Sequence, residues 1–266
     1  MLVCRIYGAE DLRVESVPEP QPGPGEVLLK LGAGGICGSD LHYFQHGRIG
    51  SFVIREPLIP GHEISGTVAK TGAGVTRVKE GDKVAVNPSH ACGACKACRA
   101  GRENLCASMR FLGSASVFPH VQGMFREYFI MGERQCHPIA ADVSASELAF
   151  AEPLSVALHA VNRAGSVLGK TVLVTGGGPI GCLIVVAARL AGAARIAVTD
   201  VVDRPLATAK TVGADQCVRA DRLPDRAGTL AEVVGEPEVA FEVSGSPAAL
   251  ATCLATTTRG GRIVQV

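Results

Sequence analysis

Four cysteines crowd the stretch CGACKACRAGRENLC, where Cys92, Cys95, Cys98 and Cys106 follow a C-x2-C-x2-C-x7-C spacing. Thiolates three residues apart on a turning loop converge, and four of them fill the tetrahedron that zinc prefers, at Zn–S distances of about 2.3 Å. A filled tetrahedron leaves no position for a substrate. The spacing therefore predicts a structural metal in a solvent-exposed lobe over residues 89–108, which Gly93, Gly101 and the charged AGREN segment help to turn. An iron–sulfur cluster, which also takes four thiolates, is the competing reading, and a loop whose cysteines only pack is the third.

A second set has a different character. GGICGSDLHYF supplies Cys37, Ser39 and His42, PLIPGHEISG supplies His62 and Glu63, and FAEPLSVALHA supplies Glu152. Taken singly, Cys37 reads as a core thiol and His62 as a turn histidine. Together they make one soft and several harder ligands with room for one more, the open arrangement that a catalytic zinc keeps.

A third set is glycine-rich. Gly176-x-Gly178-x-x-Gly181, with Pro179 and Ile180 inside it, follows TVLVT and precedes the apolar run IGCLIVVAARLAG. The first glycine permits a tight turn, the second lets backbone approach a pyrophosphate, and the third lets helix and strand pack closely. Asp200 ends the next apolar run, AVTD, about 20 residues on, where a carboxylate accepts hydrogen bonds from a ribose. This arrangement favours NAD, while Arg204 nearby leaves tolerance for NADP.

These residues need elements to hold them. Residues 1–150 carry short β patterns between Gly and Pro punctuation (LRVESV, EVLLKLGAGG, HEISGTVAKTG, DKVAVNP), which predicts an all-β, barrel-like module with insertions. Residues 151–266 open on a helical connector, ASELAFAEPLSVALHAVNRAG reaching across the boundary. They then alternate strand and helix through RIAVTD, QCVRA, EVAFEVSG and GRIVQV, the pattern of a parallel α/β sheet. At 266 residues and 47% hydrophobic the chain is long enough for two such domains. Its 26 basic and 25 acidic residues form no stripe that would bind nucleic acid or an anionic membrane. The longest apolar run is broken by Arg189 and Arg195, and no basic n-region precedes an apolar segment at the start. The expected location is the cytoplasm, where ten cysteines stay reduced and a short-spaced cluster points to metal. His46, His90 and His137 read as surface or turn residues, His159 as packed, and Cys4, Cys136, Cys182, Cys217 and Cys253 as small buried side chains.

CGSD-LH, GHE-SG-V, the four-cysteine lobe, AEPLSVALHA and VTGGGPIG, in that order, resemble the zinc-dependent medium-chain dehydrogenase/reductases. Glu152 and the GHE segment make the chain look like the sorbitol dehydrogenase branch. MRFLGSASVFPHVQGMFREY, 109–128, is similar to the L-idonate 5-dehydrogenase type within it. The resemblance implies a GroES-like β-barrel catalytic domain joined to a doubly wound Rossmann domain, with the active site in the cleft between them. It implies two zinc ions per chain, and a homo-oligomer, dimer or tetramer, in the full-length form. The catalytic ion would be held by Cys37, His62 and either Glu63 or Glu152. Ser39 would take the substrate proton and relay it to His42, and Val243 and Ser244 would approach the nicotinamide.

The substrate class implied is a small sugar acid or polyol. A carboxylate needs forked cationic donors near the metal, and Arg110, His120 and Arg126, with Tyr43, are the expected substrate contacts. The alternative is that Arg126 pairs with Glu127 or another surface carboxylate and Arg110 packs. A sorbitol- or xylitol-type enzyme, and a non-catalytic NAD-binding or structural descendant, are the other functional readings. Relatives of this kind continue through a further strand, so GRIVQV is expected to be an unpaired, aggregation-prone edge in a C-terminally incomplete Rossmann domain.

Overall fold

The structure is a computed structural model that describes residues 1–139, 142–223 and 226–266. The chain separates into two compact units, Met1–Glu152 and Pro153–Val266.

The first unit opens on a hairpin of β1 (Leu2–Gly8) and β2 (Asp11–Ser16), then β3 (Glu26–Gly35) and α1 (Gly38–His46). A short ribbon of β4 (Arg48–Ile49) and β5 (Phe52–Val53) leads to β6 (Glu63–Thr71), β7 (Lys83–Val86) and β8 (Ser89–His90). The cysteine lobe with α2 (Lys96–Arg99) comes next, then β9 (Arg110–Phe111), β10 (Tyr128–Gly132), β11 (Cys136–Pro138) and α3 (Ala145–Ala149). The four β patterns named from the sequence are β2, β3, β6 and β7. Five strands form one antiparallel sheet in the order β10-β3-β6-β7-β11. Its two edges, β10 and β11, are joined by the three-residue turn Glu133–Gln135, so the sheet must curl round on itself, which is the barrel expected. Alternate residues enter one core: Val27 and Leu29 from β3, Ile64 and Val68 from β6, and Phe129 and Met131 from β10 are essentially inaccessible.

The second unit starts within α4 (Ala151–Ala164). It then alternates β12 (Thr171–Thr175), α5 (Pro179–Leu190), β13 (Arg195–Asp200), α6 (Asp203–Thr211), β14 (Gln216–Arg219) and α7 (Arg226–Val234). β15 (Val239–Glu242), α8 (Pro247–Thr256) and β16 (Arg262–Gln265) complete it. All neighbours are parallel, in the order β14-β13-β12-β15-β16, so the order reverses at β12. Ligands of such sheets sit outside the strand C-termini at that reversal. Helices cover both faces, which explains unbroken apolar runs: Val172–Val174, Ile196–Val198 and Val239–Phe241 are wholly buried. GRIVQV is the edge strand β16, paired through β15 alone. Among the described residues no helix is long and apolar enough to cross a membrane.

Candidate metal centres and nucleotide site

Cys37 stands at the N-cap of α1, and Asp40, three residues on, reaches back to it. Asp40 Oδ2 accepts the Cys37 N–H at 3.0 Å while its Oδ1 accepts the Gly61 N–H at 3.0 Å. One buried carboxylate thus ties the start of the helix to the loop that carries His62. Gly61 sits at φ 93°, and a Cβ there would lie 2.3 Å from the Phe125 ring, so the loop passes where only glycine fits. Glu63, first residue of β6, faces Gly35 across the ladder with β3. A Cβ on Gly35 would come 2.1 Å from Glu63 Oε2, so the bare glycine is the space the carboxylate uses.

These constraints bring ligand atoms of Cys37, His62 and Glu63 to within 4.8 Å of one another. The donor set fits zinc on the chain's own chemistry. His62 is 6% exposed, and its Nδ1 is buried without a hydrogen-bond partner, 4.0 Å from Asp40 Oδ1. Burial pushes the Cys37 thiol up, with hydrogen bonds from the Ser39 hydroxyl and N–H opposing. Burial raises Glu63 as well, against the pull of His62. Glu152 is raised by burial, with His62 opposing and Glu63 and Asp40 adding, which puts it in the field of the set while the three-ligand group is Cys37, His62 and Glu63. Several buried acids beside a thiol disfavour one another's charge, and a divalent cation reverses that balance.

The other expected residues separate. Ser39 is beside the Cys37 sulfur, and His42, one turn along α1, is exposed. Tyr43 faces inward at 2% exposure, among Ile6, Leu58 and Ala115, and its hydroxyl accepts the Ala115 N–H at 2.9 Å. It is a core residue, which corrects the substrate role expected of it. His120 is also corrected. Its Nδ1 binds the Val117 carbonyl and its Nε2 accepts the Arg55 N–H, both at 2.8 Å, so neither ring nitrogen is left for a substrate. Arg126 bridges Val3 and lines a hollow with Leu2, Val14 and Leu31 beside the β1–β2 hairpin. Burial and Arg5 lower it to about 10, and its Nε is buried without a partner; among the described residues it forms no ion pair with Glu127, whose Oε2 accepts the Leu2 N–H. Arg110 is exposed on β9, and its neighbour Phe111 sets its ring edge-on to His62 at 5.3 Å.

The cysteine lobe leaves and rejoins the unit through one small ladder, Ser89 opposite Phe111 and His90 opposite Arg110. Four sulfurs about 2.3 Å from one zinc stand about 3.8 Å from each other. Cys95–Cys98 and Cys92–Cys98 stand at 3.5 and 4.0 Å, and all four side chains form one group. Sulfurs in mutual contact leave room for a single ion and not for a multi-iron cluster. Backbone N–H groups of Cys98 and Ala107 pull Cys95 down to about 6, and those of Ala94 and Cys95 lower Cys92. Burial and the thiols of Cys95 and Cys106 push Cys98 up to about 12.

In the second unit two of the three motif glycines are sterically required, and the third borders open space. Gly176 adopts φ 100°, a Cβ on Gly181 would sit 1.9 Å from the Gly176 carbonyl, and Gly178 has open space beside it. Gly178 is the N-cap of α5, Pro179 begins it, and Ile180 packs on the core, so free N–H groups and the helix dipole face the room a pyrophosphate needs. A cavity of about 240 Å³ lies beside them, lined by Thr175, Asp200, Ser244, Ser246 and Thr252. Asp200 accepts the Gly177 N–H at 2.7 Å and the Val202 N–H at 2.9 Å, so it holds the glycine turn as well as facing the cavity. Arg204 is exposed on α6. Val243 donates to the Thr175 carbonyl, and Ser244 is fixed by the carboxylate of buried Glu242, which accepts its N–H and hydroxyl at 2.8 and 2.6 Å.

Asp40, Phe111 and Glu242 escaped the sequence reading. Asp40 alone had a signal, because an acid three residues after an N-cap is capping-box spacing.

A curled β sheet bearing an open thiolate–imidazole–carboxylate set, a four-cysteine lobe and a separate dinucleotide fold define a class. Residues 23–141 match the model of alcohol dehydrogenase GroES-like domains and residues 179–266 that of zinc-binding dehydrogenases. The chain belongs to the zinc-binding alcohol dehydrogenase family, NAD(P)-dependent oxidoreductases acting on CH–OH groups. Among its relatives, L-idonate 5-dehydrogenase (NAD(P)(+)) of Escherichia coli strain K12 is 46% identical over 240 residues, 90% of this chain and 69% of that protein. Sorbitol dehydrogenase of Gallus gallus is 42% identical over 268 residues, 100% of this chain and 74% of that one. The solved structure of L-idonate 5-dehydrogenase from Escherichia coli K-12 superposes with a TM-score of 0.88 at 41% identity, covering 99% of this chain and 75% of that one.

Proposed function

We propose that this chain oxidises the C5 hydroxyl of a sugar acid of the L-idonate type, with NAD as the preferred acceptor and NADP tolerated. The observation that carries the chemistry is the Cys37–His62–Glu63 set with the Ser39 hydroxyl beside it. When bound, zinc supplies Lewis acidity at a substrate hydroxyl and the nicotinamide supplies a hydride acceptor. Ser39 takes the proton that the substrate hydroxyl releases, and His42, on the same face of α1 and open to solvent, carries it away. Asp40 keeps Cys37 and the His62 loop in register, and Phe111 limits rotation of the imidazole. Asp200 would receive the adenosine ribose, and Val243 and Ser244 would approach the nicotinamide.

Support for an acid substrate is the likeness to L-idonate 5-dehydrogenase over 90% of the chain, together with Arg110 on the strand that carries Phe111. Likeness to sorbitol dehydrogenase over the whole chain favours a polyol as the second reading. Turnover of L-idonate, sorbitol and xylitol with each cofactor decides between them. L-Idonate should be preferred, and Arg110→Ala should raise KM for the acid far more than for xylitol. Equal losses on charged and uncharged substrates would leave the polyol reading standing. A cytoplasmic location and a homo-oligomeric assembly are what we expect of this chain.

A further inference from the structure

His42 and His46 lie four positions apart on α1, and both are exposed. Residues at that spacing stand one above the other on a helix surface. Their ring centres are 5.6 Å apart and the rings are tilted by 39°. Two imidazoles sharing one ion have metal–nitrogen bonds of about 2.0–2.1 Å, with each ring centre about 1.1 Å further out. At a tetrahedral angle this puts the centres about 5.2 Å apart. The observed pair is about 0.4 Å wider, so side-chain rotation has to bring one nitrogen of each ring onto a common ion. The same i, i+4 spacing lets two histidines of an H-E-x-x-H helix share a metal.

We propose that His42 and His46 form a two-imidazole surface site for a borderline divalent cation (Ni²⁺, Cu²⁺ or Zn²⁺), separate from the Cys37–His62–Glu63 set and the cysteine lobe. Imidazole suits these ions, and solvent water completes the coordination. Occupancy has a consequence for turnover that rests on the relay reading of His42 given above. A ligated imidazole nitrogen has its lone pair in the metal bond, so it cannot accept the proton that Ser39 passes on. The cation then inhibits by closing the proton exit, without displacing any ligand of the Cys37–His62–Glu63 set.

The zinc-loaded chain, wild type and His46→Gln, is titrated with Ni²⁺ in a non-chelating buffer and bound nickel is counted by equilibrium dialysis. Wild type should bind one more Ni²⁺ than the variant, or bind it at least about tenfold more tightly, with zinc content equal in both. Equal nickel binding overturns the site. Turnover over the same Ni²⁺ range tests the second part: inhibition in wild type that is absent from His46→Gln supports the blocked relay. Nickel held through His46 with turnover intact leaves the site standing and refutes His42 as the proton exit.

Discussion

Gly35→Ala tests the Cys37–His62–Glu63 set through a residue that is not a ligand. An alanine Cβ there would lie 3.1 Å from the Glu63 Cβ and 2.1 Å from its Oε2. Directly opposed residues of an antiparallel pair keep their Cβ atoms about 4.5–5.5 Å apart, so the strand ends must give slightly at the Cβ contact whatever the side chain does, and the Glu63 carboxylate must also swing away. The swing adds the cost of an off-rotamer side chain, about 0.5–1.5 kcal/mol. For a protein of this size about 1 kcal/mol lowers Tm by roughly 2–4 °C. The same swing carries the carboxylate away from Cys37 and His62. Disturbing a group that merely orients a metal ligand lowers affinity about 10–100-fold, and moving the ligand costs at least as much. Dialysed against a chelator at a strength that leaves both zinc sites of wild type filled, the variant should keep the lobe zinc alone. Turnover should fall by at least the same factor, with Tm down by a few degrees. Full zinc content with wild-type turnover would mean that Glu63 holds no metal. A Tm loss beyond about 10 °C would mean that the strands opened and that Gly35 serves folding instead.

Two other substitutions probe the remaining sites. Cys95→Ser removes one of four thiolates from a closed tetrahedron and should cost one zinc per chain. Limited proteolysis should then cut within 89–108 while the Cys37 site keeps its metal, and elemental analysis finding iron in wild type would contradict the zinc assignment. Asp200→Ala removes both the carboxylate that would face a ribose and the acceptor of the Gly177 N–H. Hydrogen bonds to a charged group are worth about 1.5–3 kcal/mol, so kcat/KM for NAD should fall about 10–100-fold. With the repulsion of a 2′-phosphate also gone, the ratio should move toward NADP, and a wild type that already prefers NADP would refute this role for Asp200.

Wherever local structure is written in short-range spacing, the sequence could be read. TVLVT became β12 to the residue, and Gly176 and Gly181 are irreplaceable for the steric reasons that their motif implies. The cysteine lobe closed as its spacing required. Direction was harder. Tyr43 and His120 have chemistry-bearing side chains, but Ala115 in one case, and Arg55 and Val117 in the other, take up those groups from elsewhere in the fold. No local pattern reveals such long-range partners. Phe111 escaped for the same reason, since its contact with His62 depends on where the lobe returns. Glu63 and Glu152 could not be ranked from motif alone; the pairing of β3 with β6 brings Glu63 beside Cys37 and His62.

That return has an evolutionary meaning. The chain enters the lobe at His90 and leaves it at Arg110, and these two residues are partners in the same ladder. An excursion whose ends are already neighbours can be lengthened, shortened or replaced without shifting the register of any strand in the curled sheet. The lobe is therefore a graft point, free to diversify in surface and partner as long as the ladder is kept. A second constraint lies just past its exit, where Phe111 meets His62.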